Sequence, residues 1–336
     1  MPGFALGAAR ILDRAVPFEG VVALTMDPAT LVPTGAVVQN GPPTAMYPRL
    51  KENEFRGEDF IPFRSLALSE RHAATLSGAT GGDLDRSRRH REIMRPNGLG
   101  DELRAALVEG RATWGALVML RGSDREPFSP AHAKLVEAIT RPLAEGLRRA
   151  VLLDRDASDT TDGGEDAAGV VVLAPDGSTA FADEVAAGWM HELGGNGSAP
   201  PVVTAVAGQA RVVAAGAARD GRIARARVRT GSGRWLVVRA SVLADAPGAQ
   251  VAVMIEPAPP HELAPLLADA YGLTEREREV TRLVALGLQT NAIAARLHLS
   301  SWTVQDHVKA IFEKVGVVTR GELVARVFFH QRAPQL

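Results

Sequence analysis

The chain contains no cysteine among its 336 residues. This absence excludes disulfide bonds, thiolate nucleophiles and zinc sites built on cysteine. Lysine is scarce, since only four of the 38 basic residues are lysine, and two of these, Lys309 and Lys314, lie close together. No apolar run approaches the roughly 18 to 20 residues that span a bilayer, and the N-terminus is unlike a signal peptide. We therefore expect a cytoplasmic protein with no membrane partner.

Charge of either sign is not in excess, because the formal net charge is −1. Any surface that binds nucleic acid must therefore be local. The length of 336 residues favours two or three domains, and the hydrophobic content of 46% is typical of a soluble globular protein. The histidines form no HxxxH or HExxH pattern, and a GxSxG nucleophile elbow is missing. We expect no enzyme, no catalytic residue, no metal site and no cofactor.

The first part of the chain mixes helical and strand patterns. Apolar residues at helical spacing predict a helix over residues 4–15, and two strands follow in EGVVALTMD and LVPTGAVVQN. Residues 62–107 have a helical pattern that is broken near Pro96. The apolar stretch ATWGALVMLRG, 112–122, predicts a strand in the centre of a sheet. Ser129 is a good N-cap for the long helix that comes next.

A linker is predicted over residues 153–167. Residues 157–169 contain four acidic side chains, three glycines and no large apolar side chain. Such a composition cannot bury enough apolar surface to fold.

A second mixed unit, residues 168–257, follows the linker. GVVVLAPDGSTAF predicts a hairpin that turns at Pro175-Asp176-Gly177, and a helix is expected over 183–193. Apolar and arginine residues alternate on both sides of TGSG, which predicts another hairpin. No repeat of fixed period is visible, and the prolines after residue 256 lead into a predicted connector, 258–271.

From Leu273 onwards the pattern is purely helical. Thr274 and Glu277 have the spacing of a capping box at the start of a first helix. A second, shorter helix is predicted in TNAIAARLH. After a three-residue turn, Ser300 is a good N-cap for a third helix.

The third helix has two opposite faces at 100° per residue. One arc of about 100° is apolar and contains Val304, Val308, Ile311, Phe312 and Val315. The other arc is mostly polar and contains Trp302, Gln305, Asp306, Lys309 and Glu313. A short helix followed by a helix with such an outer face is typical of a helix-turn-helix, whose second helix fits the major groove of DNA. An ordinary three-helix unit with a solvated face fits the same geometry, and Asp306 and Glu313 would repel phosphates.

The stretch from Leu273 resembles the LuxR-type helix-turn-helix family of bacterial transcription regulators. The residues that carry this resemblance are Leu273, Thr274, Arg276, Glu277, Val280, Leu283, Gly287, Ile293, Ala294, Leu297, Ser300, Thr303, Val304, His307, Ile311, Lys314, Val317, Arg320, Glu322 and Leu323. The resemblance implies an all-α, four-helix DNA-binding domain over residues 272–332, with a recognition helix over 301–315.

The resemblance also implies roles for individual side chains. Gln305, Asp306 and Lys309 stand at base-facing positions. Positions that contact or place the phosphate backbone are occupied by Thr303, His307, Lys314 and Arg320. We expect Trp302 to contact the DNA backbone as well, because a solvent-facing indole is unusual. Dimer contacts on DNA are implied for the last helix, through Leu323, Val327 and Phe328.

Two positions depart from the family pattern. Asn291 stands where many relatives have Lys or Arg, and Val318 stands where many have Arg. Residues 272–332 contain nine basic and six acidic side chains, which is a weak positive field for a DNA-binding domain. We therefore expect a lone domain to bind poorly at physiological salt and two copies to occupy each operator.

The upstream sequence lacks the motifs of three common regulators. It has no GxxxxGK[ST] for an ATPase, no carboxylate cluster with a later lysine for a phosphoacceptor receiver, and no Trp/Tyr/Asp pattern of a quorum-signal domain. Residues 1–152 resemble a GAF domain, and 168–257 resemble a PAS-like fold. Both resemblances imply antiparallel sheets with helices packed around a cleft. The expected fold class is multidomain α+β, with an antiparallel-sheet GAF-like domain, a PAS-like α/β domain and the helical domain.

These features predict a one-component transcriptional regulator. Its expected partners are a double-stranded DNA operator, a second copy in a homodimer, RNA polymerase and a small-molecule effector of the sensory domains. Two alternatives stay open. The upstream domains could serve only for dimerisation, or the protein could be an enzyme or small-molecule-binding protein whose C-terminal helices are an interaction module. The arginine run RSRRHR, 86–91, is a solvated helix face, a salt-bridged surface, or an anion or partner site. Trp114 is a core residue or a ligand-stacking one.

Overall fold

The computed structural model describes residue 7 and residues 12–153, 167–216, 224–243 and 250–329. They belong to two compact units, which divide between Pro257 and Ala258. Among these residues, no helix combines the length and apolar character needed to cross a membrane. Most of the helix predicted over 4–15 and most of the linker predicted over 153–167 lie outside the described residues.

The first sheet of the first unit is antiparallel, with strand order β2-β1-β5-β4-β3. Its strands are β1 (Gly20–Met26), β2 (Pro33–Gln39), β3 (Ala73–Thr75), β4 (Leu99–Glu109) and β5 (Ala112–Gly122). The two early strands and the central position of β5 are confirmed. The helical prediction over 62–107 is wrong at β3 and again from Leu99, where β4 begins. Because β4 is buried on both faces, its apolar residues show no period of two.

Within the described residues, four α-helices accompany this sheet. They are α1 (Tyr47–Arg56), α2 (Phe63–Leu68), α3 (Leu76–Thr80) and α4 (Pro130–Leu153). α4 continues through Pro142, so the long helix expected after Ser129 is confirmed. An apolar cluster fills the space beneath α2 and contains Ile61, Phe63 and Leu66 with residues of β4 and β5.

The second sheet of the first unit is also antiparallel, with order β7-β6-β10-β9-β8. Its elements are β6 (Gly169–Leu173), β7 (Thr179–Ala182), α5 (Glu184–Glu192), α6 (Pro201–Ala214), β8 (Arg225–Arg229), β9 (Trp235–Val242) and β10 (Val251–Pro257). Both predicted hairpins and the helix over 183–193 are confirmed. Numbered within each sheet, the strands have the same order, second-first-fifth-fourth-third. The fold therefore repeats one topology that the sequence does not reveal.

Helix α6 lies between the two sheets, and its buried residues belong to the core cluster of the second half. It packs against β9 and β10 of the second sheet and against α1 and β2 beside the first. Its alanines and valines are almost all buried, and Val32 and Phe55 from the first half join the same cluster. A helix that is buried around its circumference has no amphipathic pattern, which is why α6 is not evident from the sequence.

A buried ion pair also joins the two halves of the first unit. Asp27, which follows β1, accepts hydrogen bonds from the backbone N–H of Arg227 at 2.8 Å and from its guanidinium Nε at 2.9 Å. The two side chains are only 1% and 3% exposed. Because β8 is an edge strand, the Asp27 carboxylate also satisfies one of its outward backbone groups.

The second unit is helical and contains α7 (Pro260–Ala270), α8 (Glu275–Ala285), α9 (Thr290–Leu297), α10 (Ser301–Val315) and α11 (Arg320–Val324). A π-helical turn continues α11 to Phe329. The segment 258–271, predicted as a connector, thus contains a helix. α7 packs on the π-helical turn and contributes Ala264 and Ala268 to the common core.

Loss of the buried Asp27 carboxylate should destabilise the protein far more than loss of an exposed carboxylate. Asp27→Ala leaves a buried guanidinium without its carboxylate, and we expect the free energy of unfolding to fall by about 3–5 kcal/mol. The control is Glu52→Ala, which removes an exposed i,i+4 pair with Arg56 and should cost about 0–1 kcal/mol. Urea unfolding followed by circular dichroism measures both. Equal losses in the two variants would show that the buried pair contributes no more to stability than the exposed pair.

Candidate nucleic-acid interface

The start of α8 is a capping box, as the spacing of Thr274 and Glu277 predicts. The Thr274 side chain accepts from the Glu277 backbone N–H at 3.3 Å, and the Glu277 carboxylate accepts from the Thr274 backbone N–H at 2.6 Å. The same carboxylate accepts two hydrogen bonds from Lys314 Nζ of α10, at 2.8 and 2.6 Å. Burial alone would raise the pKa of Glu277, but the bonds from Lys314 and Thr274 outweigh it and hold that pKa below its usual range.

The turn between α9 and α10 is short because each helix is closed at once. His298 adopts a left-handed conformation with φ 54° and ends α9, and the Leu299 backbone N–H returns to the Ala294 carbonyl at 2.9 Å. Ser300 then caps α10 by accepting from the Thr303 backbone N–H at 3.0 Å. The side chains of Ser301 and Asn291 form a further bond at 2.7 Å between the two helices. These contacts fix the crossing of a helix-turn-helix.

Helix α10 is apolar inside and polar outside. Val304 and Ile311 are fully buried, and Val315 is 3% exposed. The side chains of the predicted outer row are all exposed, with Trp302 at 72%; the others are Gln305, Asp306, Lys309 and Glu313. The two-faced geometry expected from the sequence is therefore confirmed.

A shallow groove of about 590 Å³ runs beside the outer row. It is lined by Thr290, Gln305, Val308, Lys309, Phe312, Glu313, Gly316, Val317, Val318 and Arg320. Val318 is 79% exposed at its edge, so this edge of the groove is apolar.

Two of the cations expected at phosphates take part in contacts within the helical unit. Lys314 donates to Glu277, as described above. The guanidinium of Arg320 donates to the Leu288 carbonyl at 2.9 Å and to the Thr290 hydroxyl at 2.7 Å, which ties α11 to the start of α9. Lys309, in contrast, makes no hydrogen bond or ion pair with any residue that the structure describes.

Two further residues expected at the phosphate backbone of DNA, Thr303 and His307, are less exposed than the outer row of α10. The Thr303 hydroxyl is 2.8 Å from the Ser300 hydroxyl, and His307 is half-buried. Phosphate contacts by these two side chains, and by Lys314 and Arg320, stay predictions.

The residues expected at a dimer contact lie mainly inside the unit. Leu323 and Val327 are 0% and 1% exposed, and the half-buried Phe328 packs on the same core. Their dimer role stays a prediction, and the first two side chains would reach a second copy only if α11 and its π-helical turn moved off the core.

Several side chains of the arginine run 86–91 form ion pairs, as the salt-bridge interpretation predicts, but Arg89 is not on the surface. Arg89 is buried and pairs with Glu102, while Arg88 pairs with Glu92 at 3.0 Å. His90 Nδ1 lies 3.1 Å from the Asp85 carboxylate. Trp114 is 3% exposed within the apolar strand. In the described ranges, no group of three His, Asp or Glu side chains is placed to hold a metal ion.

Substitution of the two lysines of α10 should have unequal effects on stability. Lys314→Met leaves the buried Glu277 carboxylate with fewer donors, so the free energy of local unfolding should fall by about 1.5–3 kcal/mol at pH 7. Lys309→Met should change it by less than about 0.5 kcal/mol. Hydrogen–deuterium exchange of the α8 and α10 amides in the full chain measures this.

The same pair of variants has a defined pH dependence. Because the folded pKa of Glu277 lies below the ordinary value of 4.5, its stabilisation is present above that pH and is lost as the pH falls through the lowered pKa. Lys314→Met should reduce this acid loss, and Lys309→Met should leave it unchanged. Equal protection in both variants at every pH would contradict the clamp between α8 and α10.

Comparison with known proteins places the helical unit. Residues 272–327 match the family model described as bacterial regulatory proteins, luxR family. The transcriptional regulatory protein DesR of Bacillus subtilis is 40% identical over 67 residues, which are 20% of this chain and 34% of that protein. The nitrate/nitrite response regulator protein NarL of Escherichia coli is 41% identical over 63 residues, 19% of this chain and 28% of that protein. The chain thus spans about a third or less of the length of these relatives.

Solved structures give weaker likenesses. Escherichia coli SdiA aligns over 97% of this chain and 90% of its own, with a TM-score of 0.35 and 11% identity. A GAF domain/HD domain protein from Geobacter sulfurreducens aligns over 45% of this chain and 94% of its own, with a TM-score of 0.33 and 20% identity. At these TM-scores, neither likeness supports an argument about the first unit. The family match and the geometry of α8 to α11 agree, and residues 272–327 therefore form a LuxR-family domain of the bacterial regulatory proteins.

Proposed function

We propose that the protein is a one-component transcriptional regulator and not an enzyme. Its helical unit binds a double-stranded, pseudo-palindromic operator as a homodimer, and its first unit controls that binding. The observation that carries this proposal is the exposed outer row of α10. The opposite face of this helix packs on the core of a LuxR-family domain.

Helix α10 is the element that would enter the major groove. Gln305 has the amide pair that recognises adenine through two hydrogen bonds, and Lys309 reaches guanine or a phosphate. Asp306 can accept from the amino group of cytosine. Trp302, at the first turn, is placed for the sugar-phosphate backbone. In a dimer, two such helices occupy half-sites about 34 Å apart.

The electrostatics favour a dimer over a lone domain. Lys314 and Arg320 hold the helices together, and Asp306 and Glu313 add negative charge to the exposed row. Each domain therefore releases few counterions from DNA, and two domains are needed for useful affinity at physiological salt. RNA polymerase is a further partner of a regulator that acts at a promoter.

The first unit is proposed to be sensory, with a GAF-like half and a PAS-like half. Its two antiparallel sheets with helices packed on them agree with that proposal. Control operates through a small-molecule effector or through dimerisation of this unit. An effector would raise the Tm of the full chain by mass action, which a thermal-shift screen of metabolites measures.

Two substitutions on α10 test DNA binding. Lys309→Ala should weaken binding to the promoter DNA of the protein's own gene by about 5–10-fold, for all sequences alike, because a phosphate contact is lost. Gln305→Ala should relax base preference, at about 1–3 kcal/mol for the base that it recognises. Gel shift and selection from a random duplex pool measure the two effects. Lys134→Ala, in α4 of the first unit, is the matched control.

The outcomes separate the proposed function from its rivals. Binding that is unchanged in both α10 variants would reject α10 as the recognition helix. A full chain that binds no promoter DNA with or without effector would favour the interaction-module alternative.

A basic side chain at position 318 should strengthen DNA binding. Val318→Arg places a cation at the exposed edge of the groove, where many LuxR-type sequences have one. We expect higher DNA affinity and a steeper dependence of log affinity on log salt, by about 0.9 for each phosphate neutralised per domain. Val318→Gln, of similar length but uncharged, is the control. An unchanged salt slope in the arginine variant would place Val318 away from the DNA.

A further inference from the structure

An apolar strip lines one side of the groove beside the outer row of α10. It consists of Val308 and Phe312 of α10 and of Val317 and Val318 in the turn that follows. At 100° per residue, Val308 and Phe312 lie at about 40° and 80° from Val304, on the flank between the buried and the exposed face. Both are half-buried, so part of each side chain is open to the groove.

Polar and charged side chains line the rest of the same groove. Gln305 is exposed, and it is an i,i+3 neighbour of Val308, at about 5–6 Å between Cβ atoms. Its amide therefore borders the apolar strip. The lining contains two cations, Lys309 and Arg320, against one carboxylate, Glu313. A ligand of this groove should thus combine negative charge with a small apolar surface and hydrogen-bonding groups.

The major groove of DNA presents this combination at thymine. Its 5-methyl group is the apolar group of that groove, and it lies beside base edges that form hydrogen bonds. An adenine that forms two hydrogen bonds with Gln305 is paired with a thymine whose methyl group points into the same groove. Since Val308 lies about one helical turn beyond Gln305 on α10, an apolar surface stands beside the amide that would read the adenine.

We propose that the apolar strip recognises the 5-methyl group of a thymine in each half-site. This inference rests on the proposed function, because it requires α10 to lie in the major groove. The thymine belongs to the base pair whose adenine binds Gln305 or to the adjacent pair. Thymine and uracil differ only in this methyl group, and its burial should favour thymine about fourfold.

Removal of single methyl groups from the operator tests the proposal. The full chain selects its operator from a random duplex pool, and each thymine of the selected duplex is then replaced by deoxyuridine. This replacement keeps every hydrogen-bonding group and the charge. We expect one thymine in each half-site to be sensitive, with affinity falling about fourfold for one half-site and about 15-fold for both. Gel shift at constant salt measures the Kd values.

Two substitutions assign the sensitive methyl group to the apolar strip. Val318→Ser changes a side chain that is 79% exposed, and Val308→Ala shortens a half-buried one. Each variant is measured with the thymine and the deoxyuridine duplex, because the ratio of the two affinities does not depend on the folded fraction of the protein. We expect this ratio to fall from about 4 towards 1 in at least one variant. Leu286→Ser is the matched control, since Leu286 is 66% exposed outside the groove lining, and it should keep the ratio.

The outcomes separate this inference from the proposed function. A selected duplex without a sensitive thymine would overturn the inference, while α10 would remain the recognition helix if Gln305→Ala still relaxed base preference. A sensitive thymine whose ratio is unchanged in both strip variants would place the methyl group at another side chain and would overturn the strip as its site. Failure of the full chain to select any duplex would overturn the proposed function and this inference together.

Discussion

The rotation of α10 about its own axis decides which side chains this domain presents, and one buried carboxylate is central to fixing it. Glu277 caps its own helix through Thr274 and receives Lys314 from α10. Because Lys314 lies on the flank of α10 between its buried and exposed faces, its bond to Glu277 holds one side of the helix. The apolar face, with Val304 and Ile311 at 0% exposure, holds the other. Gln305 and Lys309 face outward as a consequence.

Some basic side chains of the domain form contacts within it, and only the others are available to DNA. Arg276 donates to the Leu297 carbonyl at 2.7 Å, at the end of α9, and Arg320 donates to the α8–α9 turn and to α9. These guanidinium groups satisfy backbone carbonyls at helix ends, which would otherwise need water. The charge that builds the scaffold is therefore less available to DNA, and specificity and affinity depend on a short row of α10 and on the pairing of two domains.

The sequence predicted those elements whose side chains alternate between buried and exposed positions. The capping box at Thr274, the two faces of α10 and the TGSG hairpin were all readable, because period and turn chemistry are local properties. α6 and α7 were missed because they are largely buried and have no polar face to give a helical period. β4 was misassigned because it places the charged Asp101, Glu102 and Arg104 in buried positions, whereas the buried β5 was recognised as one continuous apolar run.

In the candidate site, too, features within one helix were predictable and contacts between distant parts of the chain were not. The outer row of α10 followed from spacing alone. The contacts of Lys314 and Arg320 did not, because their partners, Glu277 and Thr290, are about 30 or more positions away in the chain. Spacing within one helix reveals which face a lysine occupies, but it does not reveal which distant carboxylate lies opposite that face.

Two different kinds of polar contact join the two halves of the first unit. Two sheets of the same strand order share α6, and the contacts that join them are unlike in character. The Asp27–Arg227 pair is buried and charge-balanced, whereas the contact of Lys51 with Thr204 joins a cation to neutral oxygens. The first contact resists separation of the halves, since breaking it leaves a buried charge. The second is a hydrogen-bonded contact of a half-exposed amine, so the buried ion pair contributes more to holding the two halves together.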